Sequence, residues 1–437
     1  MLGGLIIAAP ASGSGKTTIT LALLRALSRD GVAVAPVKIG PDYLDPAFHQ
    51  AASGQPCINI DPWAMRMDMQ LALANSCEAR GLVIAEGVMG LFDGASAGGG
   101  STADLAVTTG WPVVLVVDAK GMAASAAAVV HGFATYRDDV KLEGVIFNRI
   151  GSPRHGDLLR KAVKPLGIPV LGCVTRNDNL SVPHRHLGLV QALEHPDLEG
   201  FMDRAAVHIS DCVDLGALRA LAKDRAGATA PAAAVLPSLL PPLGQRIWVA
   251  DDAAFAFTYR AVIDAWREAG AEVSTFSPLA NEAPDPRADA VYLPGGYPEL
   301  HADKLAANAH FLDGIRNAAA RGAFVYGECG GYMVLGEALV DRQGKAHSMT
   351  GCLPVVTSFE TPRLNLGYRA AFLEAQLPLG RLGAAFKGHE FHFAKEVSNR
   401  SDTPLFRCRD AAGQDLGVYG ARIGSVAGSF IHLVDGA

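Results

Sequence analysis

The run Gly327-Glu328-Cys329-Gly330-Gly331 places a thiol between glycines, directly after the apolar stretch 322–326 and before the helical stretch 332–339. A G-x-C-x-G turn between strand and helix bends sharply and leaves the central side chain standing proud of the sheet. Glycines are required on both sides because a Cβ there would meet neighbouring backbone. A thiol of ordinary pKa, about 8.5, is only a few per cent thiolate at neutral pH yet is a strong nucleophile. The Gly330 N–H and the following helix N-terminus are expected to favour both thiolate and a developing oxyanion. A buried structural role accounts for most cysteines; the turn makes Cys329 a candidate nucleophile.

A second constellation lies near the start of the chain. Ala11, Ser12, Gly13, Ser14, Gly15, Lys16, Thr17 and Thr18 follow the apolar run 4–9 and open a helical stretch. Such a turn lets backbone N–H groups face phosphate oxygens, with Lys16 reaching the β- and γ-phosphates and the Thr17 hydroxyl on Mg²⁺. Pro10 stands where the usual phosphate loop has its first glycine, so this loop is a variant.

Acidic residues gather at the ends of the next expected strands, where open α/β sheets bind ligands. Asp42 and Glu86 are the candidate Mg²⁺ ligands, since this ion takes one or two carboxylates plus phosphate and water. Asp45 and Asp93 are candidates for positioning substrate or a second ion. Ser101, in the run 99–104, reads equally as a helix cap and as a contact to phosphate or substrate. Asn148 ends the fifth expected strand, a usual place for recognition of a nucleotide base, with capping as the rival account.

Two α/β halves must position these groups. Expected strands 4–9, 32–39, 82–86, 113–118, 142–148 and 168–174 alternate with helical stretches, the pattern of a doubly wound parallel sheet. The Ala- and Pro-rich run Ala226–Gly244 reads as an extended linker over the surface. Beyond it the pattern restarts at 246–251, 272–276 and 290–293. The expected organisation is therefore residues 1–225, a linker 226–244, and residues 245–437. In 437 residues a net charge of −6 argues against non-specific nucleic-acid binding. The seven cysteines lack a C-x-x-C pair, which argues against a zinc ribbon or disulfide framework. No apolar run reaches membrane-span length and the first strand has no basic segment before it, so the expected setting is a reducing cytoplasm.

Taken together, the chain resembles the cobyrinic acid / hydrogenobyrinic acid a,c-diamide synthase family over essentially its full length. The resemblance rests on the runs 11–17, 38–46 (KIGPDYLDP), 86–94 (EGVMGLFDG), 185–189, 294–299 (PGGYPE), the Cys329 turn, 388–392 (GHEFH) and 429–432 (SFIH). It implies a dethiobiotin-synthetase-like P-loop domain with a doubly wound sheet, joined to a class I glutamine amidotransferase domain. ATP and Mg²⁺ would serve the first; glutamine would serve the second; the partners would be small molecules, with a homodimer allowed. His432 matches the family's catalytic histidine. Many class I glutaminases carry a glutamate two residues further on, and here that residue is Val434; His389 and Glu390 are candidate substitutes. The turn 294–297 resembles the oxyanion strand, with the Gly296 or Tyr297 N–H joining that of Gly330.

The implied reaction explains why one chain needs both halves. A carboxylate has a poor leaving group until ATP phosphorylates it, and ammonia released by Cys329 from glutamine, travelling internally, then attacks the acyl phosphate. By resemblance the substrate is a corrin polycarboxylate amidated at the a and c acetates, on a shallow surface near Tyr43, Leu44 and Asp45. His389 and His392 are expected on opposite faces of one strand, which does not suit zinc. Arg185 and His186 are candidates for contact with acidic substrate or ATP. Three rivals stand beside this reading. Cobyric acid synthase carries a different segment after its second strand, and nickel-sirohydrochlorin diamide synthase shares nearly all the motifs. A P-loop ATPase switch of the partitioning type would have its signature lysine where Ser12 stands, and no use for Cys329. Whether the corrin carries cobalt stays open, with the metal-free form favoured.

Overall fold

The computed structural model describes residues 3–177, 180, 184–185, 188–189, 191–223 and 239–437. Arg185 is described in its backbone alone, and His186 and residues 226–238 of the expected linker lie outside the described residues. Two compact units are present: Met1–Trp63, Met67–Gly94 and Gly98–Leu236 form one, and Ala64–Arg66, Ala95–Ala97 and Pro237–Ala437 the other. None of the helices among the described residues is long and apolar enough to cross a membrane.

The first unit is built on seven parallel strands: β1 Gly4–Ala8, β2 Val34–Ile39, β3 Ile58–Ile60, β4 Leu82–Glu86, β5 Val113–Asp118, β6 Leu142–Ile150 and β7 Val170–Thr175. They lie in the order β3-β2-β4-β1-β5-β6-β7. β1, β2, β3 and β4 are buried along their whole length, as expected of parallel strands covered on both faces. Leu21, Leu24 and Leu27 of the helix Lys16–Arg29 pack on Leu5, Ile7 and Ile84 on one side of the sheet. The strand order reverses at β1, so the loops after β1 and β4 emerge side by side, and these carry the phosphate-loop and Glu86 segments. The strand Ile58–Ile60, too short to show a pattern, had no counterpart in the sequence reading. It makes Glu86 the end of the fourth strand, not the third, and Asn148 part of the sixth.

The second unit contains a six-stranded sheet ordered Glu272–Phe276, Arg246–Ala250, Ala290–Leu293, Phe324–Glu328, Val426–Ser429 and Ala421–Ile423. The first five are parallel and the last is antiparallel. A five-stranded antiparallel sheet contains Asn365–Leu373, Ala385–His392 and the final strand His432–Gly436. Only Phe430 and Ile431 separate Val426–Ser429 in one sheet from His432 in the other. The helix expected over 332–339 is instead Gly330–Leu335. It stops because Gly336 turns extended (φ −68°, ψ 177°) and Ala338–Val340 starts a strand. The described end of the expected linker does not run over the surface. Leu239, Leu240 and Leu243 are buried, and the Trp266 indole N–H donates to the Leu240 carbonyl at 3.2 Å.

Candidate active site

In the first unit the phosphate loop is shaped by two glycines with φ of 80° (Gly13) and 85° (Gly15), a region open chiefly to glycine. A Cβ on Gly15 would stand 2.2 Å from Asn148 Nδ2. Asn148 Nδ2 donates to the Ser14 carbonyl at 2.9 Å, and Arg149 Nη1 donates to the Gly13 carbonyl at 2.8 Å. Asn148 therefore props the loop from beneath, a use the sequence reading did not foresee for a base-recognition candidate. Ser12 and Gly13 are exposed at the loop tip, Thr18 is half-buried, and Ser14 Oγ donates to the Ala11 carbonyl at 2.8 Å. Lys16 is buried, and its ammonium donates to the Met89 carbonyl at 2.7 Å. Burial lowers its pKa, and the neighbouring Lys38 adds to this while Glu86 opposes it.

Glu86 is fully buried at the end of β4 and is the hub of this site. One carboxylate oxygen accepts from the Thr17 hydroxyl at 2.6 Å and lies 3.2 Å from Lys38 Nζ; the other is 2.6 Å from His49 Nε2. Burial alone would raise the pKa of Glu86. Lys38 and the His49 hydrogen bond outweigh burial and hold it below the usual carboxylate range. Lys38 also pairs with Asp45 and stands 3.8 Å from Asp42 Oδ2. Burial opposes its charge, but these three carboxylates raise its pKa and keep it an ammonium. Asp45 is raised, first by burial and then by Asp42. Sequence reasoning missed Lys38 and His49 as site residues. The available signals were a lone charge in the buried strand Val34–Ile39, and a histidine on the buried face of the helix Asp45–Ser53.

The remaining candidates of this unit fall on its turns. Asp42 Oδ1 accepts from the Leu44 and Asp45 N–H groups at 2.9 and 3.0 Å, which shapes the half-exposed turn carrying Tyr43 and Leu44. Asp93 accepts from the Gly90 N–H at 2.9 Å, closing its own turn. Ser101 caps the helix Thr102–Thr109 in a reciprocal box with Asp104. Capping and turn closure thus account for Ser101 and Asp93 without a ligand. Among the described residues, no group of three or more His, Cys, Asp or Glu side chains is arranged to hold a metal by itself. Thr17, Glu86 and Asp42 do supply hard oxygens, the donor chemistry that suits Mg²⁺ shared with phosphate and water.

In the second unit Cys329 lies between the strand Phe324–Glu328 and the helix Gly330–Leu335, at φ 48° and ψ −103°. A non-glycine residue there stores about 1–3 kcal/mol of backbone strain. The turn is held from three directions: the Cys329 N–H donates to the Ser429 carbonyl at 2.8 Å, the Gly331 N–H to the Pro294 carbonyl at 3.0 Å, and the Met333 N–H to the Cys329 carbonyl at 3.1 Å. A Cβ on Gly331 would fall 1.9 Å from the Leu293 carbonyl oxygen, and one on Gly330 3.0 Å from the Gly296 nitrogen. The Gly296 and Gly330 amides are therefore close neighbours. A Cβ on Gly295 would lie 3.3 Å from Cys329 Cβ and 2.4 Å from His432 Cε1, so nucleophile and histidine flank a single glycine.

His432 is fully buried at the start of the last strand. Its ring stacks on that of its cross-strand partner His389, with centroids 4.9 Å apart and planes 8° apart. His389 Nε2 is 2.7 Å from the Tyr259 hydroxyl. Burial lowers both histidines, His389 to about 3 and His432 well below its ordinary value, with His389 and His392 adding to the effect on His432. Burial pushes the Cys329 thiol up, Glu299 adds to this, and the Gly330 N–H opposes it. The Gly330 N–H thus favours thiolate, as the turn leads one to expect, but desolvation of the buried thiol outweighs it. Glu390 is committed elsewhere, to Arg369 Nε at 2.5 Å and His392 Nε2 at 3.3 Å.

A phosphate loop with a buried lysine in one unit, and a strained cysteine turn beside a buried histidine in the other, define the class: a glutamine-dependent amidotransferase joined to a nucleotide-binding synthetase. Residues 5–190 match the family model of a CobQ/CobB/MinD/ParA nucleotide binding domain, and residues 246–436 that of a CobB/CobQ-like glutamine amidotransferase domain. The hydrogenobyrinate a,c-diamide synthase of Brucella abortus is 55% identical over 438 residues, covering 99% of this chain and 98% of that protein. Those of a Sinorhizobium species and Rhodobacter capsulatus are 53% and 50% identical, each alignment covering 99% of both chains. The chain belongs to the hydrogenobyrinate a,c-diamide synthase family.

Two outcomes follow from these contacts. Lys38→Met strips the buried Glu86 and Asp45 of their shared cation, so denaturant unfolding of the first unit should show a loss of about 3–5 kcal/mol. Gly295→Ala drives a methyl between Cys329 and His432, and glutaminase assays should show at least a ~100-fold loss, the scale set by a misplacement of about 1 Å.

Proposed function

We propose that this chain carries out the ATP- and glutamine-dependent amidation of the a and c acetate carboxylates of hydrogenobyrinic acid. Residues 1–225 would be the synthetase and 245–437 the glutaminase. One observation carries the reading: a single chain joins a phosphate loop to a cysteine turn of the glutaminase kind, in a family whose curated members make this diamide.

In the synthetase, the backbone of Ser12–Thr18 would cradle the ATP phosphates, with Lys16 countering charge on the transferred phosphoryl group. Thr17, Glu86 and Asp42 would hold Mg²⁺, which when bound adds charge neutralisation at the phosphate oxygens. A substrate carboxylate oxygen attacks the γ-phosphorus, ADP leaves, and the acyl phosphate forms. Tyr43, Leu44, Asp45, Asp93 and Ser101 are the proposed substrate contacts; for Asp93 and Ser101 this would add to their turn and cap roles.

In the glutaminase, the Cys329 proton passes to His432 as the sulfur attacks the glutamine side-chain carbonyl. The Gly296 and Gly330 N–H groups would stabilise the oxyanion. His432 returns the proton to the departing nitrogen and ammonia leaves a glutamyl thioester, which water then hydrolyses. Ammonia attacks the acyl phosphate and expels inorganic phosphate, completing one amide. A thiol kept protonated by burial fits this sequence, because it reacts only when a base and a substrate carbonyl are both in place.

The test is incubation with ATP, Mg²⁺ and glutamine, with hydrogenobyrinic acid and cobyrinic acid offered in parallel. ADP and glutamate should rise together with a mass change of two amidations, favouring the metal-free substrate, and chelation of Mg²⁺ should stop ADP formation. Cys329→Ser should lose glutamine use and retain activity with high ammonia. ADP release without amidation would defeat the ligase reading.

A further inference from the structure

The histidine of a cysteine–histidine pair needs an acid to hold its ring and its tautomer, and the place where this is usually found, two residues on, is here Val434. We infer that Glu328, the residue immediately before the nucleophile, is the positioning carboxylate for His432. The inference rests on the glutaminase reading of Cys329 and His432 and deepens it.

Four contacts place Glu328 in this role. Its Oε2 lies 3.9 Å from His432 Nδ1, an ion-pair distance with both side chains buried. The same oxygen accepts from the Tyr292 hydroxyl at 2.7 Å, and Oε1 accepts from the Tyr326 hydroxyl at 3.1 Å. Oε1 also accepts from the N–H of Leu433, the residue after His432, at 3.1 Å. The carboxylate is thus fixed to two strands of the parallel sheet and to the backbone that carries the histidine. Glu390, the acid that sequence proximity suggested, is held by Arg369 and His392.

The register of the sheet explains why the residue before Cys329 can do this. Glu328 pairs with Ser429 across parallel strands, and His432 follows three residues later. A carboxylate at the end of the nucleophile's own strand therefore meets the histidine without a downstream acid. The titratable groups about His432 include Cys329 across Gly295, Glu328 from the strand before it, His389 stacked on the ring, and His392 on the same neighbouring strand. Glu328 is the acid among them. Burial raises its pKa to about 7 against the three donors that favour its charge. Glu328 faces Nδ1 from 3.9 Å, beyond hydrogen-bond reach, and would favour the tautomer with its proton there, which leaves the ring's basic lone pair on Nε2. The thiol proton moves to Nε2 as the carbon–sulfur bond forms, and Glu328 stabilises the resulting imidazolium without taking its proton.

The experiment uses the full chain and the variants Glu328→Gln and Glu328→Asp. Each is assayed for glutamine-dependent and ammonia-dependent amidation, and for the pH dependence of Cys329 alkylation by iodoacetamide, followed on its peptide by mass spectrometry. Glu328→Gln should lower glutamine-dependent kcat by about 10- to 100-fold, the scale of general acid–base assistance, with KM for glutamine within about twofold. Its ammonia-dependent rate should match the parent's, the alkylation inflection should move down by about one pH unit as a negative charge beside the thiol and the histidine is lost, and Glu328→Asp should recover part of the loss. Parental glutamine kinetics in Glu328→Gln would overturn the assignment. So would a fall in kcat with an unmoved inflection, or equal loss of glutamine- and ammonia-dependent activity in both variants, each of which marks a merely structural post. If the parent chain itself shows no Cys329-dependent glutamine hydrolysis, the glutaminase reading fails instead.

Discussion

Both units are organised around a carboxylate buried at the carboxyl end of a central parallel strand. Glu86 closes β4 and Glu328 closes the strand Phe324–Glu328, and neither reaches solvent. A buried carboxylate costs several kcal/mol unless its surroundings compensate it, so the neighbours are constrained in type and place. For Glu86 the compensation is ionic, from Lys38 and His49, with the Thr17 hydroxyl bound to the same group. For Glu328 it comes from two tyrosine hydroxyls and one backbone amide. The difference shows in their acidity: charge partners hold Glu86 well below the ordinary range, whereas neutral donors leave Glu328 at about 7.

That constraint connects local sequence to chemistry. In the first unit, Lys38 must reach inward from β2 to meet Glu86, and in doing so it draws Asp45 and the turn 42–45 toward the end of the sheet. The phosphate loop and the acidic turn then share one electrostatic network. In the second unit, the Cys329 turn is strained in its backbone and held by Ser429 and Pro294. The chain from Ser429 to His432 then changes sheets within two residues and delivers the histidine to the far side of Gly295. A packing requirement thus becomes a reactive geometry.

Much of this was legible in the sequence, for identifiable reasons. The ends of β4 and β5 and of the strand at 290–293 could be placed to the residue, because runs buried on both faces stop where polar loops begin. The phosphate loop and the cysteine turn depend on local glycine geometry, which sequence states directly. Three things were not legible. β3 has three residues and no periodicity. The pairing that brings His389 to His432 joins Ala385–His392 to the final strand His432–Gly436, with several other strands between them in sequence. The relation of Glu328 to His432 exists only because Phe324–Glu328 pairs with Val426–Ser429, so a search downstream of the histidine ended at Val434. Asn148, at a strand end, holds the phosphate loop through the Ser14 carbonyl, a contact between distant segments that sequence does not show.

If the synthetase activates a carboxylate as an acyl phosphate for ammonia generated at Cys329, one substrate oxygen must leave with phosphate for each amide formed. Hydrogenobyrinic acid labelled with oxygen-18 in its acetate carboxylates tests it most directly. With ATP and glutamine, one labelled oxygen should appear in inorganic phosphate for each amide formed, because the oxygen that receives the phosphoryl group departs with it. Amide formation with phosphate free of label would contradict the account.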